Sequence, residues 1–340
     1  MKATYIEFVD KGVVAVKEEK VSEERLAGNE VLIRNETSIV SAGTELARLH
    51  GLEEGHGFDG FPSRPGYGSV GHIVAKGDEV SGYDVGDRVF YAGKHASAQR
   101  FEHGASHQWG SLFPVPEEID AIDAAVGCMA EIAMTAPNAT ELALNDTVAV
   151  FGLGMVGVLA AQAYQLRGAR MIGVDPVKER CELARKVGIE TVLDVAPDQQ
   201  VTAVREHTGG EGAMVTVDAT GLTAAVLNCI EATAPFGQVV LVGSPRAPLQ
   251  ADVTLPFSTI HTNGLVVRGA HMWRYPLHSD RNSPRSVDWV FETTFDLIRT
   301  GKLKVRELIS HVIAPAEVPR AYDGLLNRRD EYTGVVIDWR

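Results

Sequence analysis

A glycine-rich turn between an apolar run and a helical pattern carries the most specific chemistry in this sequence. Val148-Ala149-Val150-Phe151 leads at once into Gly152-Leu153-Gly154-Met155-Val156-Gly157, after which Val156, Leu159, Ala160, Ala163 and Leu166 fall on one helical face. Met171-Ile172-Gly173-Val174 is a second apolar run, and it ends in Asp175. With 34 glycines in 340 residues, chance matches to GxGxxG are expected. The strand–turn–helix context, and an acid about 20 residues on, make this one specific. The first glycine permits the tight turn, the second lets backbone approach a pyrophosphate, and the third lets helix and strand pack closely. The helix start at Met155 and Val156 offers free N–H groups and a partial positive charge to phosphates. Asp175 is placed to accept hydrogen bonds from the adenosine ribose hydroxyls, and its charge repels a 2′-phosphate. The spacing therefore predicts NAD(H) as cofactor; a strand–turn–helix without a ligand is the alternative.

The composition limits what else the chain does. It is 45% apolar and 23% charged, as expected for a globular protein of two domains. The formal charge of −13 argues against nucleic acid or an anionic membrane as partner. No apolar run approaches bilayer-spanning length, and MKATYIEFVDKG does not read as a signal peptide. Cys128, Cys181 and Cys229 are scattered without a CxxC pair, which points to a reducing cytoplasm.

The elements that must position these residues follow from periodicity. The first third reads as short strands at 2–6, 12–16, 30–34, 66–74 and 80–90, separated by charged or glycine turns, which suggests a compact barrel. Residues 124–140 are helical in propensity and should be interrupted at Pro137. From Val148 onward strands alternate with helices, predicting a doubly wound parallel α/β sheet with ligand at the strands' C-terminal ends. Thr220, Gly243, Ser244 and Gly269 stand at such ends. A helix at 286–300 and a strand at 332–339 form a tail returning to the first domain. The expected domains are 1–135, 136–274 and the return at 275–340.

This arrangement resembles the medium-chain dehydrogenase/reductase superfamily. The resemblance is carried by Gly43-Thr44-Glu45, Gly66-Tyr67-Gly68, Gly86-Asp87-Arg88-Val89, the glycine fingerprint and Arg180, five residues after Asp175. It implies a Rossmann sheet plus a GroES-like β-barrel domain, and it places Arg180 beside the adenosine ribose. Zinc-dependent members carry a cysteine before the Gly-Thr-Asp-like triplet, where Ala42 stands. They have Gly-His-Glu in place of Gly66-Tyr67-Gly68, and a four-cysteine lobe where residues 90–116 hold none. Glu131 alone matches a polyol-dehydrogenase position near the metal, and one carboxylate does not make a tetrahedral site. His50, His56, His72, His95, His103 and His107 share no recognisable ligand spacing. The segments around Ser41 and Pro65 are similar to a zinc-lacking branch that includes the hydroxyethyl-bacteriochlorophyllide dehydrogenases.

Without a Lewis acid, a side chain must manage the hydroxyl proton. Tyr67 replaces a metal-binding histidine, and its ordinary pKa of ~10 would have to fall for it to act as a base. His95 follows a strand that borders the pocket in the family, and an imidazole pKa of ~6.5 suits a proton relay. Thr44 matches the family's relay hydroxyl, although Gly-Thr also suits a turn or helix cap. Glu131 could orient His95 or bind a sugar hydroxyl. His271, Trp273 and Arg274 follow the last sheet strand and can border nicotinamide or substrate.

The resulting expectation is a zinc-independent, NAD-dependent dehydrogenase acting on a secondary alcohol of a polyol, sugar or cyclitol. A homodimer or homotetramer is expected by analogy, with 265–269 as an edge strand. Two alternatives stay open: a zinc-free quinone or enoyl reductase, and an NAD(H)-binding protein without turnover.

Overall fold

The Val-, Ile- and Leu-rich runs after Asp146 become six parallel strands, the inner ones largely buried. They are Thr147–Phe151, Arg170–Asp175, Thr191–Asp194, Ala213–Asp218, Thr233–Leu241 and Val266–Gly269. Taken as one to six, they lie in the order 3-2-1-4-5-6, so the sheet is doubly wound with its switch point between Thr147–Phe151 and Ala213–Asp218. Ala149, Phe151, Ile172, Val174, Val204, Cys229 and Val239 form its core with the helices. Val266–Gly269 is an edge strand, and Val266 and Val267 on it are exposed.

The structure is a computed structural model and describes residues 1–52, 60–104, 108–245 and 248–340, without the side chains of Gln108 and Trp273. The described chain forms two units, one of Met1–Cys128 with Tyr275–Arg340 and one of Met129–Arg274. The first unit is built on Glu30–Ile39, which pairs antiparallel with Ser69–Lys76, Ala98–Glu102 and Val335–Asp338. Arg88–Tyr91 and Leu112–Pro114 extend the sheet on one side, and His311–Ile313 extends it on the other. Val31, Ile33, Ile73, Val89, Tyr91 and Leu112 fill one core cluster. Ile6, Phe8, Tyr322, Val335 and Ile337 belong to another, so the tail completes the N-terminal sheet.

Three local expectations are corrected. Pro137 does not break its helix: Gly127–Ala139 runs through it, and the interruption falls at Val126, after the short helix Ala121–Ala125. Pro137 lies in the last turn, where the lost N–H removes one bond just before the helix ends. Residues 66–68 precede the strand rather than belonging to it, because Gly66 adopts φ +101°. Gly43-Thr44-Glu45 is neither turn nor cap but lies inside a helix, Ala42–Leu49. Among the described residues, no helix is long and apolar enough to cross a membrane.

Candidate active site

In the second unit the glycine fingerprint caps the strand Thr147–Phe151. Gly152 sits at φ +95°, where a Cβ would stand 2.6 Å from Thr220 Cγ2. A Cβ on Gly157 would stand 1.8 Å from the Gly152 carbonyl, so helix Met155–Leu166 can approach the turn only with glycine there. Gly154 is the N-cap, and a Cβ on it would meet nothing within 4 Å. That open cradle lies beside the unpaired first-turn N–H groups of Met155, Val156 and Gly157, and it fits a pyrophosphate.

Asp175 is 2% exposed and closes the cradle's other side. Its Oδ2 accepts from Leu153 N at 2.7 Å and its Oδ1 from Val177 N at 2.8 Å, while Arg180 Nη1 lies 3.8 Å from Oδ2. Two backbone bonds leave lone pairs on the carboxylate for ribose hydroxyls. Asp218, which the sequence reading did not single out, organises the neighbouring strand end. It accepts from Thr220 N at 3.0 Å, from Thr220 Oγ1 at 2.6 Å and from Gly221 N at 3.2 Å. An acid followed by Ala-Thr-Gly at a strand end is an Asx-turn signal that could have found it. Gly243 is required beside this turn, since its Cβ would stand 2.2 Å from Gly221 N; Ser244 is exposed next to it. Gly269 ends the edge strand with open space around its Cα. His271 and Arg274 are exposed after it, and the Trp273 side chain lies outside the described residues.

The first unit gathers hydroxyl groups. Tyr67 donates a short hydrogen bond to Ser41 Oγ and lies 3.4 Å from Thr44 Oγ1. Its ring meets Trp109 edge-on at 5.5 Å between centroids. Burial pushes its phenol well above the ordinary tyrosine value. A base would need the opposite shift, so burial favours Tyr67 as a neutral hydrogen-bond donor here. Gly66 permits the arrangement, since a Cβ there would stand 2.6 Å from His95 N.

His95 is not on an open wall. It is fully buried, with Nε2 3.0 Å from Glu45 Oε2 and Nδ1 2.8 Å from Ser38 Oγ. Trp339 Nε1 donates to the same Ser38 Oγ at 3.0 Å. A carboxylate only accepts, so the network assigns the proton to Nε2, with the Ser38 hydroxyl donating to Nδ1. Glu45 also accepts from Ser41 N at 2.8 Å and, in a short bond, from Tyr322 Oη. His95 therefore fixes Glu45, and Glu45 fixes the helix start that carries Ser41 and Thr44. Ser38, Ser41, Tyr322 and Trp339 were missed from sequence. Only Ser41 had a local signal, standing one turn before Glu45.

Glu131, in the second unit, is 2% exposed, and no described residue hydrogen-bonds its carboxyl. Burial alone pushes it up to about 8, so it is mostly protonated at neutral pH. His72 Nδ1 lies 3.1 Å from the Gly86 carbonyl. His56 and His107 lie outside the described residues. Among the described residues, no group of three or more His, Cys, Asp or Glu is arranged to hold a metal ion.

Two family models match the chain. One, described as alcohol dehydrogenase GroES-like domain, covers residues 27–144, and one, described as zinc-binding dehydrogenase, covers residues 155–291. D-guloside 3-dehydrogenase of Escherichia coli K12 is 26% identical over 264 residues, spanning 77% of this chain and 73% of its own. Galactitol-1-phosphate dehydrogenase from Escherichia coli has the same fold, with a TM-score of 0.82 at 20% identity over 98% of this chain and 99% of its own. A Sinorhizobium meliloti 1021 dehydrogenase solved with NADP gives 0.79 at 20% identity, over 99% of both chains.

Proposed function

Because this chain belongs to the medium-chain dehydrogenase/reductase superfamily, we propose that it is a zinc-independent, NAD-dependent dehydrogenase. It interconverts a secondary alcohol of a polyol, sugar or cyclitol with the ketone. Membership makes it an oxidoreductase with a nicotinamide cofactor. The finer reading rests chiefly on one observation: the Tyr67 hydroxyl is paired with Ser41 and close to Thr44, at the position to which the resemblance assigns a metal-binding histidine.

The donor set does not fit zinc, because Ala42, Tyr67 and Gly68 supply no imidazole, thiolate or carboxylate. No step is therefore assigned to a metal. The bound nicotinamide supplies the hydride acceptor or donor. The chain's residues do the rest. When substrate binds, the Tyr67 hydroxyl turns from Ser41 Oγ to donate to the substrate oxygen, on which negative charge develops as hydride reaches the carbonyl carbon in ketone reduction. A phenol held neutral suits this role, and in ketone reduction it gives its proton to the nascent alkoxide. In alcohol oxidation the hydroxyl proton moves onto Tyr67 as the phenolic proton passes to Ser41 or Thr44, whose own hydroxyl proton passes on to solvent; ketone reduction runs the same relay backwards, so no tyrosinate accumulates. His95 and Glu45 act as positioning residues for that hydroxyl pair.

NAD rather than NADP is supported by the Asp175 carboxylate, held at the fingerprint by Leu153 N and Val177 N. Three buried free cysteines support a reducing, cytoplasmic location. The exposed edge strand Val266–Gly269, with Leu255 and Phe257 exposed on the preceding helix, supports a homodimer or homotetramer. Metal analysis of the purified enzyme tests the reading. Substoichiometric zinc with NAD-dependent alcohol oxidation intact after chelation is expected. Stoichiometric zinc whose removal abolishes turnover refutes it, and cofactor binding without turnover of any alcohol favours an NAD(H)-binding protein.

A further inference from the structure

A chain of hydrogen bonds joins the returning tail to the hydroxyl site, and its direction is fixed at both ends. Trp339 follows the strand Val335–Asp338, in which Ile337 is the register partner of Ser38. Trp339 N donates to the Glu36 carbonyl at 2.8 Å, and the partly buried ring packs on the core cluster that holds Tyr322. An indole N–H only donates, so Ser38 Oγ, 3.0 Å from Trp339 Nε1, is the acceptor there. The hydrogen of Ser38 is then left for His95 Nδ1 at 2.8 Å. A carboxylate only accepts, so Nε2 carries the ring proton toward Glu45 Oε2 at 3.0 Å. Ser38, His95 and Glu45 are fully buried, and a link lost among them is not replaced by bulk water.

The chain ends on the residue that holds Ser41. Glu45 Oε1 accepts from Ser41 N at 2.8 Å, while Oε2 takes His95 and Tyr322. Ser41 is the N-cap of helix Ala42–Leu49, and an N-cap serine ordinarily turns its hydroxyl onto the first-turn N–H groups. Here it makes no such bond, and Ser41 Oγ accepts from Tyr67 instead. Glu45 holds Ser41 by its backbone, which keeps the side chain available to the phenol. If Glu45 swung away, the Ser41 hydroxyl would be free to fall back onto the helix start.

We propose that Ser38 and Trp339 are positioning residues for the reaction: by aiming the His95 proton at Glu45, they hold Ser41 by its backbone and keep its hydroxyl beside Tyr67. This rests on the dehydrogenase reading above, in which Tyr67 works with Ser41, and it extends that machinery to the returning tail.

Three variants probe the chain. Ser38→Ala removes its middle link, Trp339→Phe keeps an aromatic ring without the N–H, and Ser38→Thr restores a hydroxyl. Amide hydrogen exchange of the full chain, followed by NMR, reads the tie without substrate. The Ser41 amide should exchange at least tenfold faster in Ser38→Ala and several-fold faster in Trp339→Phe. Ser38→Thr should stay close to wild type, and the Val150 amide in the parallel sheet should not change in any variant. An unchanged Ser41 amide, or equal acceleration at Ser41 and Val150, overturns the proposal. Kinetics then ask whether the tie serves catalysis, with glucitol, methyl glucoside and myo-inositol standing for the polyol, sugar and cyclitol classes. On the fastest of these, Ser38→Ala should lower kcat about tenfold with KM for NAD within twofold, and should cost nothing further in a Tyr67→Phe background. The same loss of kcat with and without the Tyr67 hydroxyl also overturns the proposal. Ser41 exchange that responds as stated, in an enzyme that turns over no alcohol, sinks the dehydrogenase reading and leaves the positioning of Ser41 standing.

Discussion

Tyr322 donates its phenolic hydrogen to Glu45 although the two residues stand 277 positions apart, and both side chains are buried. The bond joins the C-terminal helix Val318–Asn327 to the helix carrying Thr44, and Trp339 repeats the tie through Ser38. Tyr322→Phe keeps the ring contact with Phe8 and removes one of three donors to a buried carboxylate. It should lower unfolding stability by ~1–3 kcal/mol. Thermal or urea unfolding checks this; an unchanged midpoint would mean that the bond holds nothing in place.

Asp175 does two things at once, and its substitution should separate them. Asp175→Ser removes the charge that the proposed NAD preference sets against a 2′-phosphate, together with one acceptor of the Leu153 and Val177 N–H groups. The NAD-over-NADP ratio of kcat/KM should fall by the equivalent of ~1–3 kcal/mol, and KM for NAD should rise as the glycine turn loosens. Initial rates with both cofactors decide; a wild-type enzyme that prefers NADP refutes the role given to Asp175.

Glu131 makes stability depend on pH in a defined direction. Its ordinary value is 4.5, and burial raises it to about 8 in the folded chain. Between those values the folded state binds more protons than the unfolded state, so the contribution is full below pH 4.5 and is lost as pH rises toward 8. Glu131→Gln cannot ionise, and its unfolding free energy should decline less across that window, by an amount on the order of a few kcal/mol at the alkaline end. Parallel pH profiles of the two proteins would show that the carboxyl stays ionised in the folded state.

What could be read from the sequence depended on how locally each feature is encoded. The glycine fingerprint lies within the contiguous stretch from Val148 to Asp175, where Gly152 takes a left-handed turn and Gly157 makes room for the Gly152 carbonyl. The alternation of strands and helices after Val148 followed from periodicity, whereas the order 3-2-1-4-5-6 within the sheet did not. The proton chemistry is encoded differently. Tyr67, Thr44 and His95 could be singled out as types. That His95 faces Glu45, and that Tyr67 is a neutral donor, depends on Tyr322, on Trp339 and on Cys128, whose Sγ lies 3.8 Å from the Tyr67 carbonyl, all of them remote in sequence. Pro137 was misjudged for a simpler reason, because its cost depends on its distance from the helix end, which propensity does not give.

The central claim is that the Tyr67 hydroxyl steadies the reacting oxygen in a site built without a metal. Tyr67→Phe retains the ring and its edge-on contact with Trp109 while deleting only the hydroxyl that donates to Ser41 in this structure. Loss of one donor aimed at developing charge costs roughly 10²–10³-fold in rate. The most direct measurement is kcat of Tyr67→Phe at saturating NAD and alcohol, with NAD affinity and unfolding temperature measured on the same preparation. A fall in kcat of ~10²-fold or more, with affinity and stability near wild type, is the predicted result. A kcat within twofold of wild type would contradict the account and move the chemistry away from Tyr67.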